Sequence, residues 1–495
     1  MTAKRLVLAV IDGMNPAALR DAVAAGRAPL LAEVIERGTV TDGAISPFPS
    51  VTPVCATAIA TGVRQDRHGI PGMNWYHRDE QRYVEYGSSL RAARRVGIAR
   101  QLLDLVYELN GSHLASETVF ERLDDHGVRT AGTTYMVYRG RHEQQVSRRG
   151  GLTRLARTIM REPVLGPREL FYADIFESRP TECRSQLGLP GVRDRHAGCV
   201  GAELVTGDLF DFLLLSLPDN DSHSHKRGPE AQRTSIAHAD RQLMRLAEAA
   251  GGVEAFFDRY AVIVAADHGQ VTVTGRAELR APFENLGVLE PSPSGDRDPQ
   301  ALVAICPSQR FAMLYVLDPD RRARLVKDLV RRARLMPDVD LVMHRDGDEA
   351  VIGAAGGRGG ELRFAPGGEL RDGRGRNWSI EGDLGVIAAT IGDGLIASDA
   401  YPDPLARVWA ALSCAHSGEV LLSAAEGLEF ADWGGAAHVG GGSHGSLHRS
   451  DSLGALAFCG VEPPPGLPRG GVWAIEDVGD LCCAHFGAGT LSADD

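Results

Sequence analysis

The chain has 495 residues, of which 43% are hydrophobic and 24% charged, a globular composition that excludes a disordered or fibrous protein and leaves apolar material for a large core. Its formal net charge of -12 argues against a general binder of nucleic-acid polymers or membrane surfaces, both of which need a basic field. The first apolar run, Leu6 to Ile11, is too short for a membrane span and is not followed by a signal-peptide cleavage region, so the expected location is cytoplasmic.

Lys4 to Ile11 reads as a buried parallel strand that ends in Asp12-Gly13, and Asn15 to Ala25 as a helix. Ligands of open α/β sheets gather beyond the carboxyl ends of the strands, which is where Asp12 falls, although a strand-end Asp is more often a turn former. In Ile45 to Tyr76, Thr52 is followed by Pro53, a run of small residues and Gly62: an N-cap, a first-turn proline and a C-terminal glycine. A helix opening at Thr52 would aim free N–H groups and the positive end of its dipole at an oxyanion.

Leu90 to Leu109 reads as one amphipathic helix, Val128 to Met136 as a strand, and Gly150 to Gly201 as loops and short helices. Asp211 to Leu217 and Tyr260 to Ala266 are strong apolar strands flanking a helix over Pro229 to Ala250. Strands alternating with helices up to residue 269 indicate a doubly wound, mostly parallel α/β sheet with helices on both faces. Residues 286–400 read as a small inserted α+β subdomain, with strands at Phe311 to Leu317 and Val339 to Met343, an arginine-rich helix over Arg321 to Leu335 and a hairpin-like stretch over Gly359 to Gly382. Residues 1–285 and 401–495 then form the core, the latter with a Gly/His loop over Gly434 to His448, a strand over Leu453 to Cys459 and a closing helix over Ile475 to Phe486. The eight cysteines, Cys55, Cys183, Cys199, Cys306, Cys414, Cys459, Cys482 and Cys483, form no CxxC pair and are expected as packed, reduced thiols.

Four pieces with candidate ligands fall just past strands or in Gly-rich loops: Asp12, the segment LPDNDSHSHKRGP from Leu217, the pair Asp267-His268, and SHGSLH around His444. Each has an ordinary reading as a cap or a solvated histidine; four at one sheet edge point to a site. Carboxylate and imidazole donors suit Zn²⁺, and also Mn²⁺ or Fe²⁺. Two such ions can hold the attacking and leaving oxygens of an in-line displacement at phosphorus, and a metal-bound Thr hydroxyl is a usable nucleophile.

The ordered set Asp12, Thr52, D-x-x-x-H with KRGP, Asp267-His268-Gly269 and His444-Gly445 resembles the type I phosphodiesterase/nucleotide pyrophosphatase branch of the alkaline phosphatase superfamily over nearly the whole chain, least in the insert. The resemblance implies Thr52 as nucleophile with Ser50 as fallback, one metal on Asp221, His225 and His444, the other on Asp12, Thr52, Asp267 and His268, and Asn74 as a donor to the phosphoryl oxygen. Asp219 and His223 repeat the Asp221/His225 spacing, and the second pair is preferred because His225 stands directly before Lys226-Arg227-Gly228-Pro229. Cys55 occupies a position where the family commonly has Asn, and the Cys-x-Pro-x-Arg pattern of sulfatases is absent. The expected function is a two-metal hydrolase of phosphodiesters or nucleotide pyrophosphates acting on a small phosphorylated substrate. A phosphonoacetate hydrolase-like or phosphomonoesterase activity, or a non-catalytic anion-binding protein, are the alternatives.

Overall fold

A computed structural model describes residues 3–147, 159–160, 162–186, 188–295 and 298–493. Its central sheet contains five parallel strands, β1 (Arg5–Ile11), β2 (Thr130–Thr133), β3 (Glu169–Tyr172), β4 (Phe212–Leu217) and β5 (Tyr260–Ala265), in the order β3-β2-β4-β1-β5. An antiparallel strand, β6 (Leu456–Cys459), pairs with β5. Side chains alternate across a strand, so β1 sends Leu6, Leu8 and Val10 into one hydrophobic cluster and Val7, Ala9 and Ile11 into another. The first cluster is closed by helix α1 (Thr52–Thr61) through Val54, Ala58 and Ile59. The second is closed by helix α3 (Gln232–Ala249) through Ile236, Leu243 and Leu246. Burying each of these aliphatic side chains contributes about 1.5–3 kcal/mol, which is why the central strands are continuous apolar runs.

Register fixes the site. Ile11 pairs with Leu217 of β4 and Val10 with Ala265 of β5, so the carboxyl ends of the three middle strands are level. Asp12, helix α2 (Asp219–Arg227) and Asp267-His268 all begin at that edge.

A second sheet joins Val303–Ser308, Phe311–Val316, Val420–Ala424, Val339–Asp346, Glu349–Ala354 and Glu361–Arg371 as neighbours in that order. Val420–Ala424 lies between two strands of the expected insert, so residues 286–400 build their sheet only with a strand from beyond residue 400. Met313, Leu341 and Phe364 of this sheet belong to the same hydrophobic cluster as α1 and β1. The arginine-rich helix, Arg322–Arg334, is largely neutralised: Asp328 pairs with Arg331 and Arg332, Glu361 with Arg334, and Glu419 with Arg322.

Three local expectations change. The amphipathic stretch from Leu90 breaks at Gly97, at φ 104°, into Leu90–Val96 and Ile98–Leu103, followed by a wider turn over Asp104–Glu108. Cys183 and Cys199 are not reduced thiols: helix Arg193–Thr206 brings Cys199 against the preceding loop, and the two form a disulfide with Cα atoms 5.8 Å apart. The other six cysteines are free and buried, as expected. In Gly150 to Gly201 the described residues include β3 and that helix, whereas 150–158, 161 and 187 lie outside the described residues.

Candidate active site

Asp12 and Asp267 follow β1 and β5, and Asp221 lies in the first turn of the helix after β4. Asp267 accepts the Gly13 and His268 N–H groups on Oδ1, both at 3.0 Å, which leaves Oδ2 facing His268 Nε2 at 3.5 Å. Asp12 follows β1, and its carbonyl accepts Asn220 Nδ2 at 2.7 Å. Gly13 turns the chain here at φ 65°, and a Cβ on it would sit 3.3 Å from Asp221 Oδ1, so no other residue fits between the two carboxylates without strain. Asp221 is aimed by Gln270, whose Nε2 donates to Asp221 Oδ1.

The three histidines are held by one device. His225 Nδ1 donates to Gly442 O at 2.8 Å, His268 Nδ1 to Gly269 O at 3.0 Å, and His444 Nδ1 to Ser50 O at 2.7 Å. A carbonyl oxygen only accepts, so each Nδ1 carries the proton and each Nε2 is the atom offered to a ligand. His225 Nε2 lies 3.3 Å and His444 Nε2 3.5 Å from Asp221 Oδ1. His268 Nε2 lies 3.4 Å from Asp12 Oδ1, and the rings of His268 and His444 stack with centroids 3.5 Å apart.

Thr52 completes the cluster, with its Oγ1 3.3 Å from His268 Nε2. It is not the N-cap. Val51 holds that position in extended backbone, Thr52 is the first helical residue, and its hydroxyl is therefore free of a capping bond. Every other residue of α1, Pro53 to Thr61, is buried. Gly62 ends the helix at φ 68°.

Electrostatics show a site short of positive charge. Burial, with Asp267 and Asp221 nearby, raises the Asp12 carboxyl well above its usual range. Burial also works against an ionised Asp221, but His225, His444 and His268 together hold it far below the usual carboxylate range. Burial and neighbouring His268 push His444 well below an ordinary imidazole, so it stays neutral. Asp12 Oδ1 and His444 Nε2 are buried without a hydrogen-bond partner. Within each of two groups, Asp12/Asp267/His268 and Asp221/His268/His444, the donor atoms all lie within 4.8 Å of one another. Orphaned acceptors, clustered carboxylates and lone pairs turned inward fit divalent cations.

The structure thus brings together Asp12, Thr52, Asp221, His225, Asp267, His268 and His444. It also separates the two Asp/His pairs, since positions two residues apart on a helix face nearly opposite ways. Asp219 accepts Gly191 N–H at 2.8 Å, Arg193 Nε at 3.0 Å and Asp194 N–H at 3.1 Å, tying the start of α2 to its neighbour. Asn74 makes its contacts elsewhere: it is buried, and its Nδ2 donates to Pro307 O at 2.7 Å and Ser88 Oγ at 3.1 Å, so both N–H groups are engaged away from Thr52. Cys55 is buried, and burial and then Asp267 push its thiol up, so it is no nucleophile. Ser50 Oγ accepts Gly445 N–H at 3.1 Å, which makes it a brace for the His444 loop. Gln270, next to His268-Gly269, and Gln309, whose Nε2 is 3.4 Å from His225 Nε2, also reach the site, and a lone glutamine carries no signature in the sequence.

A family model described as type I phosphodiesterase / nucleotide pyrophosphatase matches residues 6–342, which include every candidate site residue named above except His444. Among solved structures, phosphonoacetate hydrolase from Sinorhizobium meliloti 1021 in complex with phosphonoformate superposes with a TM-score of 0.55 at 17% identity, covering 98% of this chain and 96% of that one. Murine ectonucleotide pyrophosphatase/phosphodiesterase 5 does so with a TM-score of 0.53 at 10% identity, covering 98% and 95%. At such identity the likeness is one of fold. No curated protein is significantly similar in sequence.

Proposed function

Because the chain belongs to the type I phosphodiesterase/nucleotide pyrophosphatase family, in the alkaline phosphatase superfamily, we propose that it hydrolyses phosphodiesters or nucleotide pyrophosphates through Thr52. The observation that carries this reading is the position of Thr52, the one residue of α1 that is not buried, with its hydroxyl against His268 Nε2. Asp12, Asp267, His268 and Thr52 would hold one divalent cation, and Asp221, His225 and His444 another, Zn²⁺ by preference with Mn²⁺ and Fe²⁺ compatible. Bound there, the cations would supply Lewis-acid neutralisation of charge on the attacking and departing oxygens.

The residues themselves do the rest. Thr52 Oγ1 bonds to phosphorus while the bond from phosphorus to the leaving oxygen breaks, and the hydroxyl proton passes through solvent to the departing oxygen, giving a phosphothreonine ester and a free alcohol or phosphate. Pro53 has no N–H, so the first-turn N–H groups of Thr52 and Val54 meet the phosphoryl oxygens, with the helix dipole behind them. Water then attacks phosphorus from the vacated side and Thr52 leaves as the hydroxyl. Backbone carbonyls hold the three imidazoles and backbone N–H groups hold Asp267 before substrate arrives, which keeps reorganisation small. The substrate is small and phosphorylated; among the described residues no helix is long and apolar enough to cross a membrane.

The test is hydrolysis of bis-p-nitrophenyl phosphate against p-nitrophenyl phosphate, with added Zn²⁺ or Mn²⁺, in the wild type and Thr52→Ala. A diester preference that falls at least 1,000-fold in Thr52→Ala, with metal content retained, is the expected result, on the order of a lost covalent nucleophile. Full activity in the variant would move the nucleophile elsewhere. The phosphonoacetate hydrolase fold neighbour makes phosphonoacetate the third substrate to assay, and exclusive turnover of it would replace the diester reading with C–P hydrolysis.

A further inference from the structure

The histidines form a contact series that starts at Thr52. Thr52 touches His268, His268 stacks on His444, and the His444 and His225 ring centroids are 5.2 Å apart. The series continues past the metal-ligand set to His438, whose ring stacks on His225 with centroids 4.0 Å apart. Buried Glu429 holds His438 twice, accepting its Nδ1 at 2.8 Å and its backbone N–H at 2.7 Å. His438 Nε2 has no protein partner among the described residues.

Gln309 reaches His225 from the second sheet. It sits on the tight turn between Val303–Ser308 and Phe311–Val316 at φ 61°, a left-handed conformation that costs a non-glycine residue about 1 kcal/mol. The turn is pinned on both sides of the side chain: Gln309 O accepts Phe430 N–H at 2.8 Å, and Arg310 N–H donates to His444 O at 3.0 Å. Its amide lies 3.4 Å from His225 Nε2, and its Oε1 is buried without a partner. Strain held at a site edge by surrounding bonds is the pattern of a residue placed for a ligand. Once His225 Nε2 is given to a cation, the amide loses its one contact there, and neither of its polar atoms keeps a protein partner among the described residues.

We propose that Gln309 and the Glu429-held His438 form a subsite for the leaving group, which selects phosphodiesters whose departing alcohol carries hydroxyl groups beside the ester oxygen. This rests on the proposed reaction at Thr52. In an in-line displacement the leaving oxygen departs on the side opposite the nucleophile. Thr52 is at one end of the histidine series, and Gln309 and His438 are at the other. An amide offers two N–H donors and an acceptor oxygen and the imidazole adds a further polar atom, which the hydroxyls of a glycerol or sugar can answer and a p-nitrophenyl ring, with no hydroxyl beside the ester oxygen, cannot.

The experiment compares kcat/KM for glycerophosphoglycerol, both of whose leaving groups are glycerol, with bis-p-nitrophenyl phosphate. It uses metal-loaded wild type, Gln309→Gly and Gln309→Asn, which tolerate the positive φ, and His438→Ala, with metal per chain measured in each. The expected result is a wild type active on both, and a glycerol-to-aryl ratio that falls about tenfold for each lost hydrogen bond, with metal content at the wild-type value. An unchanged ratio in all three variants, or a wild type that cleaves only the aryl diester, overturns the subsite while leaving the Thr52 reaction standing. Loss of metal in both Gln309 variants also overturns it, by making Gln309 a positioning residue for His225. A metal-loaded wild type inactive on both diesters overturns the reaction and the subsite together.

Discussion

Asp219→Asn and Asp221→Asn change chemically identical side chains two residues apart, and the structure assigns them opposite consequences. Asp219 accepts two backbone N–H groups and Arg193 Nε, with both partners of the ion pair partly buried, 20% and 15% exposed. An Asn keeps one acceptor atom, so the variant loses about one hydrogen bond and a partly screened ion pair, together about 2 kcal/mol. With unfolding entropy of about 2 cal/mol/K per residue, that lowers Tm by about 2 °C in a chain this long. Its metal content should equal that of the wild type. Asp221 instead is the carboxylate that His225 and His444 both face, so its variant should lose one metal equivalent. The stabilisation a cation gives at a hundredfold excess over its Kd, about 2.7 kcal/mol per site, should then shrink by one site's share. Elemental analysis after dialysis and thermal unfolding with and without added Zn²⁺ measure both quantities. If Asp219→Asn lost a metal equivalent while Asp221→Asn kept both, the assignment of the helix faces would be refuted.

Arg374 and Asp477 form a buried fork, two bonds of 2.8 Å at 1% and 0% exposure, joining the second sheet's hairpin to the closing helix. Asp477→Ala should cost about 3–5 kcal/mol by stranding the guanidinium, whereas the double change to Arg374→Met and Asp477→Leu should recover most of it in urea unfolding. Burial lowers the His68 and His113 imidazoles to about 3, below the value near 6.5 expected when unfolded. Between those values the unfolded chain binds more protons, so stability is full above about pH 6.5 and is lost on acidification, by about 1.4 kcal/mol per pH unit for each histidine. His68→Gln should flatten that slope by one proton, and an unaltered slope in urea titrations at pH 4 to 7 would show that the ring is not buried neutral. Gly62→Ala meets Leu491 Cβ at 2.7 Å as well as a positive φ, so it should destabilise by at least 1 kcal/mol; a neutral Tm would contradict the packing of α1 against the C-terminal segment.

What could be read in the chain was whatever local chemistry dictates. The apolar runs of β1, β4 and β5 specify buried strands because no solvent-facing alternation interrupts them, and an acidic residue after such a run falls at a strand end. The helix from Thr52 was legible because Pro, small residues and Gly constrain φ locally, although the exact cap moved one residue, a shift that freed the Thr52 hydroxyl. Helical period alone offered two Asp/His pairs on α2, the family resemblance favoured Asp221/His225, and packing against Gly191 and Arg193 on one side and His444 on the other separates the two pairs in space. Asn74, the Cys183–Cys199 bond and the break at Gly97 each depended on a partner distant in space or on a backbone angle that composition does not encode.

Preferences that act within a few residues put a carboxylate after each central strand and a histidine in a Gly-rich loop, and these are visible in the chain alone. Tertiary structure decided the rest: that β4, β1 and β5 lie side by side with level ends, that three Nδ1 atoms find backbone carbonyls and turn their Nε2 lone pairs inward, and that a strained Gln309 from a second sheet reaches His225. Those outcomes are set by contacts between residues tens to hundreds of positions apart, whose geometry exists only once the two sheets pack on a common core.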